Sequence, residues 1–273
     1  MNTAMPSGAC DCHVHVYDAS RPLAPTATFK PPHAPWSAYQ AVQQALGLAR
    51  AVLVQPTAYG LDNSVLLEAL AQAGPVARGV VVVPATVSDA ELQRLHLQGV
   101  RGVRFMMLAG AGGALPWGAL PAMAARVAPL GWHINLQLDG RELPQYRTMI
   151  DALHCAVVID HTGKFIEPVP VNDPAFRALL GVLERPRRWV KLSAPYETSK
   201  VGPPGYDDVS LLARALLRAH PERCLWASNW PHPNRTPVPS DDAMLALLDA
   251  WTEGNHALRE RALVANPAAL YGF

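Results

Sequence analysis

Leu225-Trp226-Ala227-Ser228-Asn229-Trp230-Pro231-His232-Pro233-Asn234 reads as a short buried strand that stops at a proline and opens into a polar loop. Pro231 has no N–H to donate and a fixed φ, so a strand ladder ends before it. The side chains at the stop, Asn229 and His232, are presented at a strand's C-terminal edge. What that edge means depends on how many similar strands the chain holds and how they are joined.

Seven more short apolar runs precede it. The candidate strands are Ala9–Tyr17, Arg50–Thr57, Ala77–Ala85, Val100–Met107, His133–Asp139, Ala156–Gly163, Trp189–Pro195 and Cys224–Trp230. Between them lie segments with helical apolar spacing, clearest at Ser64–Ala73, Asp89–Leu97, Leu120–Leu130, Phe176–Glu184, Val209–Ala219 and Ala243–Trp251. Strands alternating with helices of this length form βαβ units and a parallel sheet. Eight units, with no GxGxxG after the first strand, predict an α/β fold of the (β/α)8 TIM-barrel type rather than an open doubly wound sheet. The 273 residues make one such domain, 1–273. Many of the 26 prolines gather in loops, notably Pro22–Pro35 and Pro203–Pro204, and shape one mouth.

A net charge of +1 without a Lys/Arg cluster argues against nucleic acid and anionic membrane surfaces. No apolar run approaches the roughly 20 residues of a membrane span, and Met1–Ala9 lacks the features of a signal peptide. Cys10, Cys12, Cys155 and Cys224 sit in or beside apolar runs, as buried free thiols of a cytoplasmic protein do.

In a parallel barrel the C-terminal strand ends carry the chemistry. Strand one offers Asp11-Cys12-His13-Val14-His15, and two-residue alternation places Asp11, His13 and His15 on one inward face. Strand two ends at Gln55 and Thr57, strand four carries Arg104 and strand five Gln137. Strand six ends in Asp160-His161-Thr162-Gly163-Lys164, and strand seven carries Lys191 and Ser193. An aliphatic barrel floor needs none of these groups, and unpaired buried polar groups are costly. His-x-His on one strand, a third His on another and a polar residue ending strand eight is the layout of a metallohydrolase centre; packed, hydrogen-bonded histidines are the alternative. Arg104 either binds substrate or pairs with Asp11 or Asp160. His133, at the start of its strand, reads as structural and off the catalytic face, and His154, His220 and His256 as surface residues. Gly110-Ala111-Gly112-Gly113-Ala114 is either a substrate-covering loop or a plain turn.

Asp-x-His-x-His near the N-terminus, Val-Ile-Asp-His-x-Gly on strand six and Trp-x-x-Asn-Trp-Pro-His near the end resemble the amidohydrolase superfamily. The resemblance spans nearly the whole chain and is strongest to a metal-independent lactone branch. Gly8-Ala9-Cys10-Asp11, Val54-Gln55, Arg101-Gly102-Val103-Arg104-Phe105 and Trp230-Pro231-His232-Pro233 are similar to its pyrone-dicarboxylate lactonases. Thr26-Ala27-Thr28-Phe29, Leu138-Asp139-Gly140, His161-x-Gly163-Lys164-Phe165 and Tyr196-Glu197-Thr198-Ser199 look closer to its galactarolactone isomerases.

Two departures carry weight. The superfamily's strand-eight residue is an Asp that takes a proton from water; here it is Asn229, an amide that cannot act as a base. No Glu, Cys or inward His stands on strand four or five to complete a metal centre. The expected cofactor is therefore none, with a single divalent ion such as zinc at His13, His15 and His161 as the alternative. Of the arginines that resemblance implies for gripping two carboxylates, only Arg104 remains. Gly110 and Lys164 stand where others would fall.

The expected substrate is a carboxylated or sugar-acid lactone. The catalytic candidates are His13, His15, His161, Asn229 and His232; the substrate-binding candidates are Thr57, Arg104, Gln137, Lys164, Lys191 and Tyr196. Isomerisation of an aldarolactone, from δ to γ ring, leads. Hydrolysis with His232 or another imidazole as base is the alternative, and regains the lead if Asn229 is an engineered replacement for Asp. A non-catalytic barrel binding an acidic ligand is the third reading. No nucleic acid or membrane partner is expected; a homo-oligomer is left open.

Overall fold

The computed structural model describes residues 4–273, so Met1–Thr3 of the expected leaderless N-terminus and of the 1–273 domain lie outside the described residues. Eight parallel strands stand in chain order: β1 (Cys10–Val14), β2 (Arg50–Val54), β3 (Ala77–Val81), β4 (Val100–Met106), β5 (His133–Gln137), β6 (Ala156–Ile159), β7 (Arg188–Leu192) and β8 (Cys224–Trp226). The seam between β8 and β1 is closed just past the regular strands. Asn229 N–H donates to the His13 carbonyl at 3.0 Å and His15 N–H to the Trp230 carbonyl at 2.8 Å. The stretch that ends at Pro231 is thus both the last stave of the barrel and its closure.

The principal helices are α1 (Trp36–Leu46), α2 (Ser64–Ala73), α3 (Asp89–Leu97), α4 (Leu120–Val127), α5 (Leu143–Asp151), α6 (Pro174–Leu183), α7 (Asp207–Ala219) and α8 (Asp241–Trp251). Six of these match the helical spacing in the sequence. α1 and α5 do not stand out there because α1 is glutamine-rich and α5 buries only Leu143 and Ile150. Two short helices, α9 (His256–Glu260) and α10 (Asn266–Tyr271), flank a π-helical turn. They deliver Tyr271 into the inner apolar cluster with Cys10, Cys12, Val52, Val80 and Leu225. Among the described residues no helix is long and apolar enough to cross a membrane. All four cysteines are free and buried.

The strands are shorter than the apolar runs because the chain turns at the mouth, into short 3-10 turns such as His161–Gly163 and Pro195–Glu197. Of the ten non-glycine residues with positive φ among the described residues, eight lie in the loops after β6, β7 and β8: His161, Thr162, Lys164, Ala194, Tyr206, Asn229, His232 and Asn234. Such conformations cost of order 1–3 kcal/mol each and persist where surrounding structure dictates them.

Two expectations fail at strand level. Strict alternation put Asp11 beside the imidazoles. Instead the β1–β2 register shifts between Asp11 and Val14. This bulge leaves Cys10, Cys12, His13 and His15 inward and turns Asp11 outward, where Tyr39 of α1 reaches it at 3.1 Å. His133 is not on the outer face. It lies inward on the barrel floor with its ring edge-on to Tyr271 at 5.3 Å, in room left by Gly102, where a Cβ would come within 2.5 Å of the ring. His154 and His256 are exposed as expected, and His220 is half-buried.

Asp11 is fully buried and accepts four hydrogen bonds: from His13 N–H (3.2 Å), Ser228 N–H (3.0 Å), Ser228 Oγ–H (2.5 Å) and Tyr39 O–H. It thereby staples β1, α1 and the chain after β8. Burial nonetheless outweighs these donors and pushes its carboxyl up to about 6. A raised folded-state value makes the contribution of Asp11 to stability full below its unfolded pKa and lost as pH rises through 6. Urea unfolding of wild type and Asp11→Asn should therefore show a stability difference that shifts against the wild type by up to about 3 kcal/mol between pH 4 and pH 7. A pH-independent difference contradicts this assignment.

Candidate active site

Six of the eleven expected site residues, His15, Thr57, Arg104, Gln137, His161 and Asn229, line one cavity of about 130 Å³ at the barrel mouth. Tyr17, Phe29 and Glu197 line it as well. The other five stand behind its walls. His13 and Lys191 lie beneath it; Lys164, Tyr196 and His232 support the side formed by the β6, β7 and β8 loops.

Beneath the cavity the protons can be assigned. Lys191 Nζ donates to His13 Nδ1 (3.0 Å) and Asn135 Oδ1 (2.5 Å), and pairs with Asp160 Oδ1 (3.2 Å). His13 must then carry its proton on Nε2, which donates to His15 Nε2 at 3.1 Å. His15 in turn carries its proton on Nδ1, which donates to the Val54 carbonyl at 2.7 Å. Both imidazoles are locked in one tautomer with both nitrogens engaged. Burial holds His13 and His15 well below the usual imidazole range, aided by Lys191 for His13 and Arg104 for His15. Asp160, bonded also by Asn135 Nδ2 (2.7 Å), is held well below the usual carboxylate range against its burial, chiefly by the Lys191 ammonium.

His161 is different. Its Nδ1 meets Ser193 Oγ at 2.8 Å, and a hydroxyl both donates and accepts, so neither tautomer is imposed. Among the described residues its Nε2 makes no hydrogen bond. Burial keeps this imidazole also well below its usual range, with Asp160 opposing and His13, Lys164 and Arg104 adding.

Arg104 pairs with neither carboxylate considered for it. It donates to the Gln55 carbonyl and to Gln137 Oε1, each at 2.7 Å. On the other wall, Asn229 donates through Nδ2 to Tyr196 Oη (2.9 Å) and Glu197 Oε1 (3.3 Å), and its Oδ1 is buried without a partner. Lys164 forms an ion pair with Glu197. Burial lowers the Lys164 ammonium, to about 7, with Asp160 opposing; direct contact with the Glu197 carboxylate favours its charged form. His232 bonds Tyr196 Oη through Nδ1 and Asp241 Oδ1 through Nε2, both at 2.9 Å.

The sequence reading missed Tyr17, Glu197 and Asp241. Tyr17 continues the alternation of His13 and His15 by one step, and its buried hydroxyl faces the site unpartnered. Glu197 and Asp241 come from a loop and a helix start, where periodicity says nothing. In the glycine run after β4 only Gly112 and Gly113 are closely packed: a Cβ on Gly112 would come within 2.6 Å of the Thr26 carbonyl, and one on Gly113 within 2.0 Å of that of Met106, whereas Gly110 has open space around it.

A divalent ion would have to compete with Lys191 for the donor set in this structure. The described residues close enough to share one are His13, Asp160 and His161, not the expected His13, His15 and His161. The Lys191 ammonium already contacts His13 Nδ1 and Asp160 Oδ1, a donor atom on two of those three residues. A second cation there would face like charge in a fully buried setting.

Comparison with known proteins agrees with this architecture. The chain is 36% identical over 277 residues to the 2-pyrone-4,6-dicarboxylate hydrolase of Comamonas testosteroni, covering 98% of this chain and 91% of that protein. It is 34% identical over 275 residues to the D-galactarolactone isomerase of Agrobacterium fabrum, covering 99% and 93%. An apo crystal structure of an Agrobacterium tumefaciens protein superposes with a TM-score of 0.92 at 32% identity, covering 100% of this chain and 98% of that one. The amidohydrolase family model matches residues 10–273, and the chain belongs to that family.

Proposed function

We propose that this protein is a metal-independent lactone isomerase whose substrate is the lactone of a sugar diacid. The relatives named above act on a pyrone and a lactone, both cyclic esters, one by hydrolysis and one by isomerisation. The observation that carries isomerisation is Asn229. The position where the superfamily places its water-activating carboxylate holds an amide, whose free Oδ1 accepts a hydroxyl proton's hydrogen bond but cannot keep the proton.

In this reading a hydroxyl of the substrate, aligned by Asn229 Oδ1, attacks the ring carbonyl carbon. The carbonyl π electrons move to its oxygen, stabilised by Arg104 and the free amide N–H of Gln137. His161 Nε2 takes the proton from the attacking hydroxyl and returns it to the ring oxygen as the old C–O bond breaks. Proton count and charge are unchanged over the cycle, and one imidazole with an unengaged Nε2 and its other proton held on Nδ1 by Ser193 suffices. His13 and His15 serve as a rigid neutral base to the cavity, held by Lys191. Thr57 and Tyr17 offer hydroxyls to the sugar. Oriented intramolecular attack carries effective molarities of order 10⁵ M or more, whereas water without a base forgoes roughly 10²–10⁴-fold.

Hydrolysis is favoured by one specific feature, the Glu197 carboxylate in the cavity wall. Its Oε1 is taken by Asn229 and its Oε2 by Lys164, so it is not poised over a water. NMR of chelator-treated protein with a δ-aldarolactone should show the γ-lactone appearing first, and Asn229→Asp should raise the share of open-chain acid by tenfold or more. Open acid as the sole wild-type product, or loss of turnover on chelation, contradicts the proposal.

His161→Gln should lower kcat by about 10²–10⁴-fold. Because His161 is held below its usual range, its neutral form persists as pH falls. The kcat/KM plateau of the wild type should therefore extend below about 6.5, the unperturbed imidazole value. An acid limb at or above that value contradicts the assignment.

A further inference from the structure

We propose that Asp241 is a positioning residue that acts through His232 and Tyr196 to fix which atom of the Asn229 amide the substrate meets. Four side chains connect the cavity to the start of α8. Asn229 Nδ2 lies 2.9 Å from Tyr196 Oη, Tyr196 Oη 2.9 Å from His232 Nδ1, and His232 Nε2 2.9 Å from Asp241 Oδ1. At the cavity end, Asn229 Nδ2 also lies 3.3 Å from Glu197 Oε1.

Both ends of this chain are carboxylates, which accept and never donate when ionised. Glu197, at the longer distance, favours the Asn229 NH₂ group on its own side, and the direction set from Asp241 decides whether Tyr196 reinforces or opposes that choice. Tyr196 Oη receives one of those protons and gives its own to His232 Nδ1. That nitrogen must be bare, so His232 carries its proton on Nε2 and donates it to Asp241. Every donor points one way, from Asn229 to Asp241, and the one atom left over is Asn229 Oδ1, buried and without a partner at the cavity wall. The cavity therefore presents an acceptor at this point and selects a donor, such as a substrate hydroxyl, over an ether or ester oxygen.

Asp241 is well placed to hold this direction. It is the first residue of α8, whose N-cap Ser240 accepts from Ala243 N–H, and a carboxylate at a helix N-terminus is stabilised there. The helix is tied to β8 by Trp226 Nε1, which donates to the Met244 carbonyl at 3.4 Å. Arg235 covers the Tyr196 ring, its guanidinium carbon 5.6 Å from the centroid. Neither His232 nor Tyr196 lines the cavity, so both work through Asn229. Without Asp241 the His232 proton is free to move to Nδ1. Tyr196 then receives it and turns its own O–H on Asn229, which must offer Oδ1 in return and rotate its NH₂ toward the substrate.

This inference rests on the lactone-turnover reading for its kinetic arm, and either reaction serves, isomerisation or hydrolysis. Asp241→Ala should lower kcat about tenfold with KM changed less than threefold. In a Tyr196→Phe background, where the chain is already cut, the same substitution should have no further effect. Independently of turnover, ¹⁵N NMR of the folded protein should show His232 protonated on Nε2 in the wild type and moved toward Nδ1 in Asp241→Ala. Multiplicative kinetic effects of the two substitutions, an unchanged kcat in Asp241→Ala, or a wild-type His232 protonated on Nδ1 overturns the proposal. Absence of any lactone turnover by the wild type strikes the proposed function alone, since the NMR arm still reads the relay.

Discussion

The two hydrogen bonds that close the barrel, from Asn229 to the His13 carbonyl and from His15 to the Trp230 carbonyl, are also what hold the site together. They bring the end of β8 beside the bulge in β1, so the residues that close the fold carry the cavity's side chains. Asp11 reinforces the junction from outside through Ser228 and Tyr39. A buried carboxylate with four donors is an expensive staple unless all are satisfied, and here all are. The bulge that turns Asp11 out is the same distortion that lets Cys12 and His13 both face inward.

From that junction two hydrogen-bonded chains diverge. One runs below the cavity from Lys191 through His13 and His15 to the Val54 carbonyl. The other runs beside it from Asn229 through Tyr196 and His232 to Asp241. Each ends on a group with a fixed donor or acceptor character, so each has a single direction. His161, against a serine, is the exception, and the proposed proton shuttle uses the Nε2 that this arrangement leaves unengaged. The lysine among His13, Asn135 and Asp160 places positive charge beside two members of the His13, Asp160 and His161 group that could share an ion.

The barrel was legible because its signal is repeated: eight apolar runs separated by helical spacing, with boundaries at Ser64–Ala73 and Asp89–Leu97 coinciding with α2 and α3. The inward ends of most strands were legible for the same reason, since alternation is local. It failed at Asp11, where a bulge shifts the phase; at His133 it held, since His133 shares the parity of Gln137, and the off-site reading there missed the room that Gly102 opens inside the barrel. Arg104 could be placed on its strand, but its actual partners, a main-chain carbonyl and Gln137, come from other strands. Glu197 and Asp241 enter through tertiary contacts from a loop and a helix start. The exchange of carboxylate for amide at Asn229 was visible as a single letter. Its meaning depends on Tyr196 and Glu197, which fix the amide's orientation.

The central claim is that an amide held with its oxygen toward the cavity lets a substrate hydroxyl outrun water. Turnover in ¹⁸O-labelled water tests it most directly, by mass spectrometry of the first product formed. Intramolecular attack leaves the new lactone free of label, and the account predicts that result. One ¹⁸O atom per turnover in the first product means that water is the nucleophile, and contradicts it.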